Sequence, residues 1–412
     1  MVNLSFLNRF AFVLLVFMLL ILSGCSTKFA IQLPSVERLH RQILTIDTHC
    51  DTPMRLRQQA FNIGERHEPT SAGGQVDLIR MQEGGLDAMV FAVFIAQGDR
   101  TMEGYAKAYA LVQETLTAIQ TAVAQNANFA EIAYSPRDIK RIVRKGKIAI
   151  LLGIENGYAI GKDLTLIEKY YKQGIRYITL CHTKNNDICD SSTDTTEHGG
   201  LSPFGEAVVR EMNRVGMIID VSHISDSAFY DVVRISRAPV IASHSCARAI
   251  CGNPRNLDDN MLLALKKNGG VIQINLFTEY VKPSEPNAAR DSAMHAFWSK
   301  YANFEQLTPS ERAIAYQERD SLEKRYPRRL ATVEDMTTHI DHVVQTIGID
   351  YLGIGSDFDG GGGLADCYDV SQMKNITATL VKHGYTKSQI ARIWGGNFLR
   401  VWQKVNRCAR RT

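Results

Sequence analysis

Eight short apolar runs, separated by segments of helical periodicity, constrain the fold of this chain more than any other feature. They span residues 43–46, 86–95, 148–154, 175–180, 217–221, 240–242, 270–277 and 351–356. Between them, stretches such as 105–124, 164–173, 203–215, 225–236 and 257–268 bring apolar residues back every three or four positions, as a helix with one buried face requires. The bodies of the runs are almost wholly apolar instead of alternating, the pattern of strands covered on both faces and so of a parallel sheet. Strand and helix alternating eight times is the count that closes a TIM-type (β/α)8 barrel, an α/β fold.

At 412 residues and 45% hydrophobic content, such a chain buries roughly 75% of its unfolded surface and needs no disulfide scaffold. A barrel uses about 250 residues, so part of the length lies outside the repeat. The largest surplus is the charge-rich segment 281–335 between the seventh and eighth strands, with helical stretches at 291–301 and 309–325. It reads as a helical insertion on the barrel, not a second domain. The net charge is +4 with basic residues dispersed, apart from a cluster at 407–411, which gives no indication of a nucleic-acid partner.

The ends of the runs carry the chemistry. His49 and Asp51 follow the first, Glu155 the third, His182 the fourth, His223 the fifth, His244 the sixth, and Asp357 and Asp359 the eighth. Barrel active sites sit at the carboxyl ends of the strands. Imidazole and carboxylate are zinc ligands, and burying five such groups together without a metal would be costly. His49 and Asp51, two apart on one strand, suit a first metal, and His223 and His244 a second. Glu155 lies between them in strand order and has two oxygens with which to bridge. His182 could donate to an oxyanion, or be a structural histidine. Asp357 is placed to move a proton, with Asp359 as its competitor. Arg255 could hold a substrate carboxylate in a bidentate contact, or pair at the surface with Asp258 or Asp259. His339 and His342, three apart on an expected helix, read as a solvated face.

The amino terminus is a different object. Residues 10–22 form an apolar run of 13, too short for a membrane span of about 20 but right for a signal peptide. The sequence Leu22-Ser23-Gly24-Cys25 resembles a bacterial lipobox. Residues 1–24 are thus expected to be a lipoprotein signal peptide, Cys25 the lipidated mature terminus, 25–39 a tether and 40–412 the barrel domain. Ser26 after the cysteine favours the outer membrane, with the domain facing the periplasm. Export would make Cys50, Cys181, Cys189, Cys246, Cys251, Cys367 and Cys408 potential disulfide partners, although packed or free thiols are the simpler expectation.

Taken together, Asp47-Thr48-His49-Cys50-Asp51, Gly153-Ile154-Glu155-Asn156-Gly157, Leu180-Cys181-His182-Thr183, Asp220-Val221-Ser222-His223, Ala242-Ser243-His244-Ser245, Arg255-Asn256-Leu257-Asp258-Asp259, Gly355-Ser356-Asp357-Phe358-Asp359-Gly360 and Gly395-Gly396-Asn397-Phe398-Leu399-Arg400 resemble the membrane dipeptidase (renal dipeptidase-like) family of binuclear zinc peptidases. The resemblance implies a TIM-like barrel with two Zn2+ ions per chain, held by His49, Asp51, Glu155 as the bridge, His223 and His244. It implies hydrolysis of dipeptides by a metal-bridged hydroxide and selects Asp357 over Asp359 as the catalytic carboxylate. It leaves a homodimer open. The alternatives are an amidohydrolase acting on a non-peptide amide, lactam or lactone, and a non-catalytic envelope-binding lipoprotein.

Overall fold

The computed structural model describes residues 36–58, 61–283, 285–302, 304 and 307–409; the signal peptide, Cys25 and most of the tether lie outside them. Nine strands occur among these residues: β1 (Ile46–Cys50), β2 (Ala88–Phe94), β3 (Ala130–Ile132), β4 (Ile148–Glu155), β5 (Ile175–Thr179), β6 (Ile218–Asp220), β7 (Ile241–Ser245), β8 (Val271–Ile274) and β9 (Leu352–Ile354). Eight of them pair in parallel in the order β1-β2-β4-β5-β6-β7-β8-β9. The two ends of that path meet through a bridge between Cys50 and Phe358 and the bonds Asp357 N to His49 O (3.0 Å) and Asp51 N to Phe358 O (2.8 Å). The result is a nearly closed eight-stranded barrel ringed by helices.

All eight expected runs become barrel strands. The ninth strand, β3, fills the place beside residues 148–150 of β4 that β5 reaches only from Leu152 onward. Three residues with Glu131 in the middle are too short and too polar to stand out as a strand.

Successive residues of each strand go to different cores, as pleating requires. Met89, Phe91, Ile150, Leu152 and Ile354 join the large layer between barrel and helices. Ala88, Val90, Ala149, Leu151, Ile218, Ile241 and Val271 join a second cluster with Phe398, Val401, Trp402 and Val405 of the last helix, Asn397–Ala409. That helix therefore covers the amino ends of the strands and leaves the carboxyl ends for chemistry. The connecting helices start and stop where local signals dictate. Ser202 caps Pro203–Val215 with Pro203 in its first turn, and Gly216 ends it at φ 86°, a conformation a side chain would resist.

Between β8 and β9 lie helices Thr278–Val281, Ala288–Lys300, Pro309–Arg325 and Val333–Ile347. The last corrects one expectation. His339 is not on a solvated face but fully buried, its Nδ1 accepting from Ala247 N (3.1 Å) and its Nε2 bonded to Val281 O (2.7 Å). His342 also has a partner, at 2.7 Å from Asp259. Periodicity locates the helix but cannot tell which histidine faces the β7 and β8 loops.

Candidate metal centre

The barrel mouth gathers His49, Asp51, Glu155, His182, His223, His244 and Asp357. Glu155 stands at its middle, with each carboxylate oxygen facing a different group. Oε1 lies 3.0 Å from His223 Nε2, 3.4 Å from His244 Nε2 and 3.9 Å from His182 Nε2. Oε2 lies 3.5 Å from His49 Nε2, which is in turn 3.5 Å from Asp51 Oδ2. Ligand-type atoms fall within 4.8 Å of one another in three sets: His49, Glu155 and His244; Glu155, His182 and His223; His49, Asp51 and Asp357. The donor set as folded is thus a candidate metal site, and His182 and Asp357 stand close enough to belong to it.

Several of these atoms have no hydrogen-bond partner among the described residues. His49 Nε2, Asp51 Oδ1 and His223 Nδ1 are buried without a hydrogen bond, and an unsatisfied buried polar atom costs about 1–3 kcal/mol. His223 Nε2 and His244 Nε2 approach to 2.8 Å. These orphaned, converging atoms fit bound cations, which would satisfy them together.

The rings are aimed by their other nitrogens. His49 Nδ1 is 2.8 Å from Tyr177 Oη, and His244 Nδ1 is 2.8 Å from Ser243 Oγ, which donates to Asp220 at 2.6 Å. Each such bond turns Nε2 toward the centre, the usual arrangement behind a metal-binding imidazole. Tyr177 and Asp220 lie within strands the sequence shows only as apolar runs, so their roles emerge from register alone. Backbone strain collects here too. Asn156 (φ 83°), His223 (71°), Asp357 (62°) and Asp359 (66°) are the non-glycine residues with positive φ among the described residues, each costing on the order of 1–3 kcal/mol.

Electrostatics follow from burial and crowding. Burial, with the nearby Glu155 charge, raises the Asp51 carboxyl to about 6. Burial, with Asp51 and Glu155 adding to it, pushes Asp357 well above the carboxylate range. Burial would raise Glu155 as well, but His49 and His223 outweigh it and hold it well below its ordinary value. Burial, with Arg255 and neighbouring imidazoles, drives His223 and His244 well below theirs. Neutral imidazole and ionised carboxylate, the forms a metal requires, are favoured at His223, His244 and Glu155, whereas at His49 burial is outweighed by the Tyr177 and Glu155 charges, which hold the ring well above its ordinary value.

Three alternatives left open by the sequence differ in their surroundings. Asp359 is occupied structurally, accepting from Arg55 Nε (2.9 Å), Thr52 Oγ1 (2.8 Å) and Gln75 N (2.9 Å). Asp357 instead accepts from Asn275 Nδ2 (3.2 Å) and sits beside His49 and Asp51. Arg255 is no surface ion pair. It is buried, donates to His244 O (3.1 Å), leaves Nε without a partner and lies 5.1 Å from the centre of the Tyr280 ring. Asp258 caps a helix and Asp259 holds His342. The sequence reading missed Tyr280 and Asn275, whose loops have no pattern to flag them. Cys50, Cys181, Cys189, Cys246, Cys251 and Cys367 are buried free thiols, Cys408 a half-buried one, and none belongs to the ligand sets.

With this geometry established, comparison with known proteins gives the family. Residues 33–412 match the model of the membrane dipeptidase family, peptidase family M19. A dipeptidase of Claviceps purpurea, tcpJ, is 33% identical over 84% of this chain and 73% of its own length. Dipeptidase 3 of Macaca fascicularis is 29% identical over 90% of this chain and 67% of its own. The crystal structure of the probable dipeptidase PvdM from Pseudomonas aeruginosa superposes with a TM-score of 0.77 at 32% identity, covering 91% of this chain and 98% of that one. The chain belongs to the membrane dipeptidase family of metallopeptidases, hydrolases of peptide bonds.

Proposed function

We propose that this protein hydrolyses dipeptides using two zinc ions, held by His49, Asp51, Glu155, His223 and His244. The observation that carries the reading is the position of Glu155, whose two oxygens face separate sets of donors. Two zinc ions there would acidify the attacking water and polarise the scissile carbonyl. The chain supplies the rest. Asp357, as the carboxylate, would take the proton of the water and, once protonated, a form its burial favours, return it to the leaving amine. His182, beside Glu155 and edge-on to Phe94 at 4.8 Å, donates an N–H to the oxyanion. Arg255, with a spare donor and Tyr280 against it, holds the substrate carboxylate. That carboxylate reader favours a dipeptide over a lactam or lactone.

The test is zinc content together with turnover of a dipeptide panel by the soluble domain. Two zinc ions per chain are expected, with activity lost on chelation and restored by zinc. Glu155→Gln should weaken both sites, because both share it. Full activity in verified metal-free protein would overturn the mechanism.

The proposal extends to location: acylation of Cys25 and attachment to the outer membrane, facing the periplasm. Its support is the run 10–22 followed by Leu22-Ser23-Gly24-Cys25. Mass spectrometry of the mature wild-type terminus and of Cys25→Ser decides it, and a terminus elsewhere without an acyl chain would refute it.

A further inference from the structure

Helices Ala288–Lys300 and Pro309–Arg325 pack on each other through Arg290–Glu323 (2.8 Å) and Lys300–Glu318 (2.6 Å). The pair is fastened to the loop after β1: Gln58 Nε2 donates to Tyr316 Oη (3.1 Å), and Ser71 N donates to Asp320 Oδ1 (3.0 Å). Tyr316 and Asp320 are four apart and share a helix face, which thus meets the barrel mouth. Arg319 lies beside them on that inner side. Its Nε is buried with no hydrogen-bond partner among the described residues, and its guanidinium lies 5.4 Å from the centre of the Trp298 ring. The carboxylates beside it in sequence are committed elsewhere, Asp320 to Ser71 and Glu323 to Arg290. Burial and the neighbouring Arg55 charge lower its pKa against the pull of Glu323. Arg319 is therefore a half-buried cation that no carboxylate among the described residues hydrogen-bonds.

The mouth is also polar from one side to the other. Arg255 borders the β7 side, donating to His244 O. Asp357 and Asp359 stand at the seam of β9 and β1, where Arg55 holds Asp359 at 2.9 Å. On the dipeptidase reading, a dipeptide held by its carboxylate at Arg255 and by its scissile bond at Glu155 would direct its first residue away from Arg255, to the side of this seam and the helix pair. We infer that Arg319 selects dipeptides whose first residue carries an acidic side chain, the side-chain carboxylate filling the guanidinium's vacant hydrogen-bonding position. The inference rests on the dipeptidase reading and adds a specificity-determining residue to it. Arg suits the role because its fork matches a carboxylate and it cannot lose its charge on burial.

The experiment measures kcat and KM of the zinc-loaded enzyme on Glu-Ala, Gln-Ala and Ala-Ala for wild type, Arg319→Met and Arg319→Lys, with a Tm for each. Wild type should favour Glu-Ala over Gln-Ala by about tenfold in kcat/KM, carried by KM, the size of one charge-assisted contact. Arg319→Met, which keeps an apolar stem against Trp298, should bring that ratio to about 1, and Arg319→Lys should restore part of it. Equal use of Glu-Ala and Gln-Ala by wild type overturns the inference, and needs no variant to fold. So does a variant that slows all three substrates in proportion while lowering Tm, which is the signature of a structural brace. Cleavage of Ala-Ala without an acidic preference leaves the dipeptidase reading standing; failure on all three removes both.

Discussion

Arg80 and Arg255 are both buried arginines, and their surroundings use the guanidinium very differently. Arg80 donates from Nε to Asp77 (2.6 Å), from Nη1 to Asp369 (3.1 Å) and from Nη2 to the carbonyls of Gly73 (3.3 Å) and Gly74 (3.0 Å). Its partners are filled as well: Asp77 also accepts from Arg80 N and His67 N, and Asp369 from Ser371 N. Around Arg255, by contrast, Arg255 Nε, His49 Nε2, Asp51 Oδ1 and His223 Nδ1 are all left without a bond. Saturated buried charge holds chains together, whereas unsaturated buried charge awaits something that is not the protein. The first cluster ties the loop after β1 to the loop after β9. The second is the candidate metal site, with Arg255 at its edge.

The comparison breaks most readily at Asp357. If the mouth is built for chemistry at the expense of stability, Asp357→Asn should reduce turnover by roughly 10²–10⁴-fold while both metals remain. Metal-free Asp357→Asn should melt no lower than metal-free wild type, since the change removes a carboxyl crowded by Asp51 and Glu155. The same logic gives a pH dependence. The folded value for Asp51 is about 6, above its unfolded value near 4. Its contribution to metal-free stability is therefore present below pH 4 and lost as pH rises through 6. A thermal melt series of the metal-free protein against pH, with Asp51→Asn as the flatter control, reads this out. Near-normal turnover of Asp357→Asn would move the proton transfer elsewhere.

The two clusters also differ in how far the sequence reveals them. His49, Asp51, Glu155, His223 and His244 were legible because barrel topology dictates where strand ends go, and each follows an apolar run. Asp357 was legible from the residues as one of two candidates, with the resemblance favouring it, and the bonds of Asp359 to Arg55, Thr52 and Gln75 set the two apart. The Arg80 cluster was not legible. Asp77 precedes its arginine by three, an ordinary helix-cap pattern, while Asp369 lies 289 residues away on the far side of the barrel seam. Nothing in local composition reports such a closure. Tyr177 and His339 share that limit, because their partners come from distant elements.

At Arg80 the expected effect is on stability alone. Asp77→Asn leaves a buried guanidinium short of its charge partner, a change that typically costs about 3–5 kcal/mol. Urea denaturation of the metal-free protein should show a lower midpoint with an unchanged slope, and kcat of the remaining folded fraction should stay close to wild type. A fall in kcat at saturating substrate without loss of stability would show that this cluster, too, acts on the reaction.

Arg255 gives the smallest effect and the finest test of the comparison. Its guanidinium's one described hydrogen bond, to His244 O, leaves most of the fork to the substrate. Removal should therefore cost binding more than folding. A free dipeptide places its carboxylate one residue beyond the scissile bond, and an amidated dipeptide brings a neutral group to the same point. Facing the wrong partner in a buried site costs about 1–3 kcal/mol, so wild type should cleave the amide at least about tenfold less efficiently than the acid. Arg255→Ala should erase that difference by slowing the acid, chiefly through KM, because the contact is made in ground and transition states alike. If wild type cleaves both forms equally, or turns over tripeptides as fast as dipeptides, Arg255 is a structural arginine like Arg80 and the mouth is that of a broader amide hydrolase.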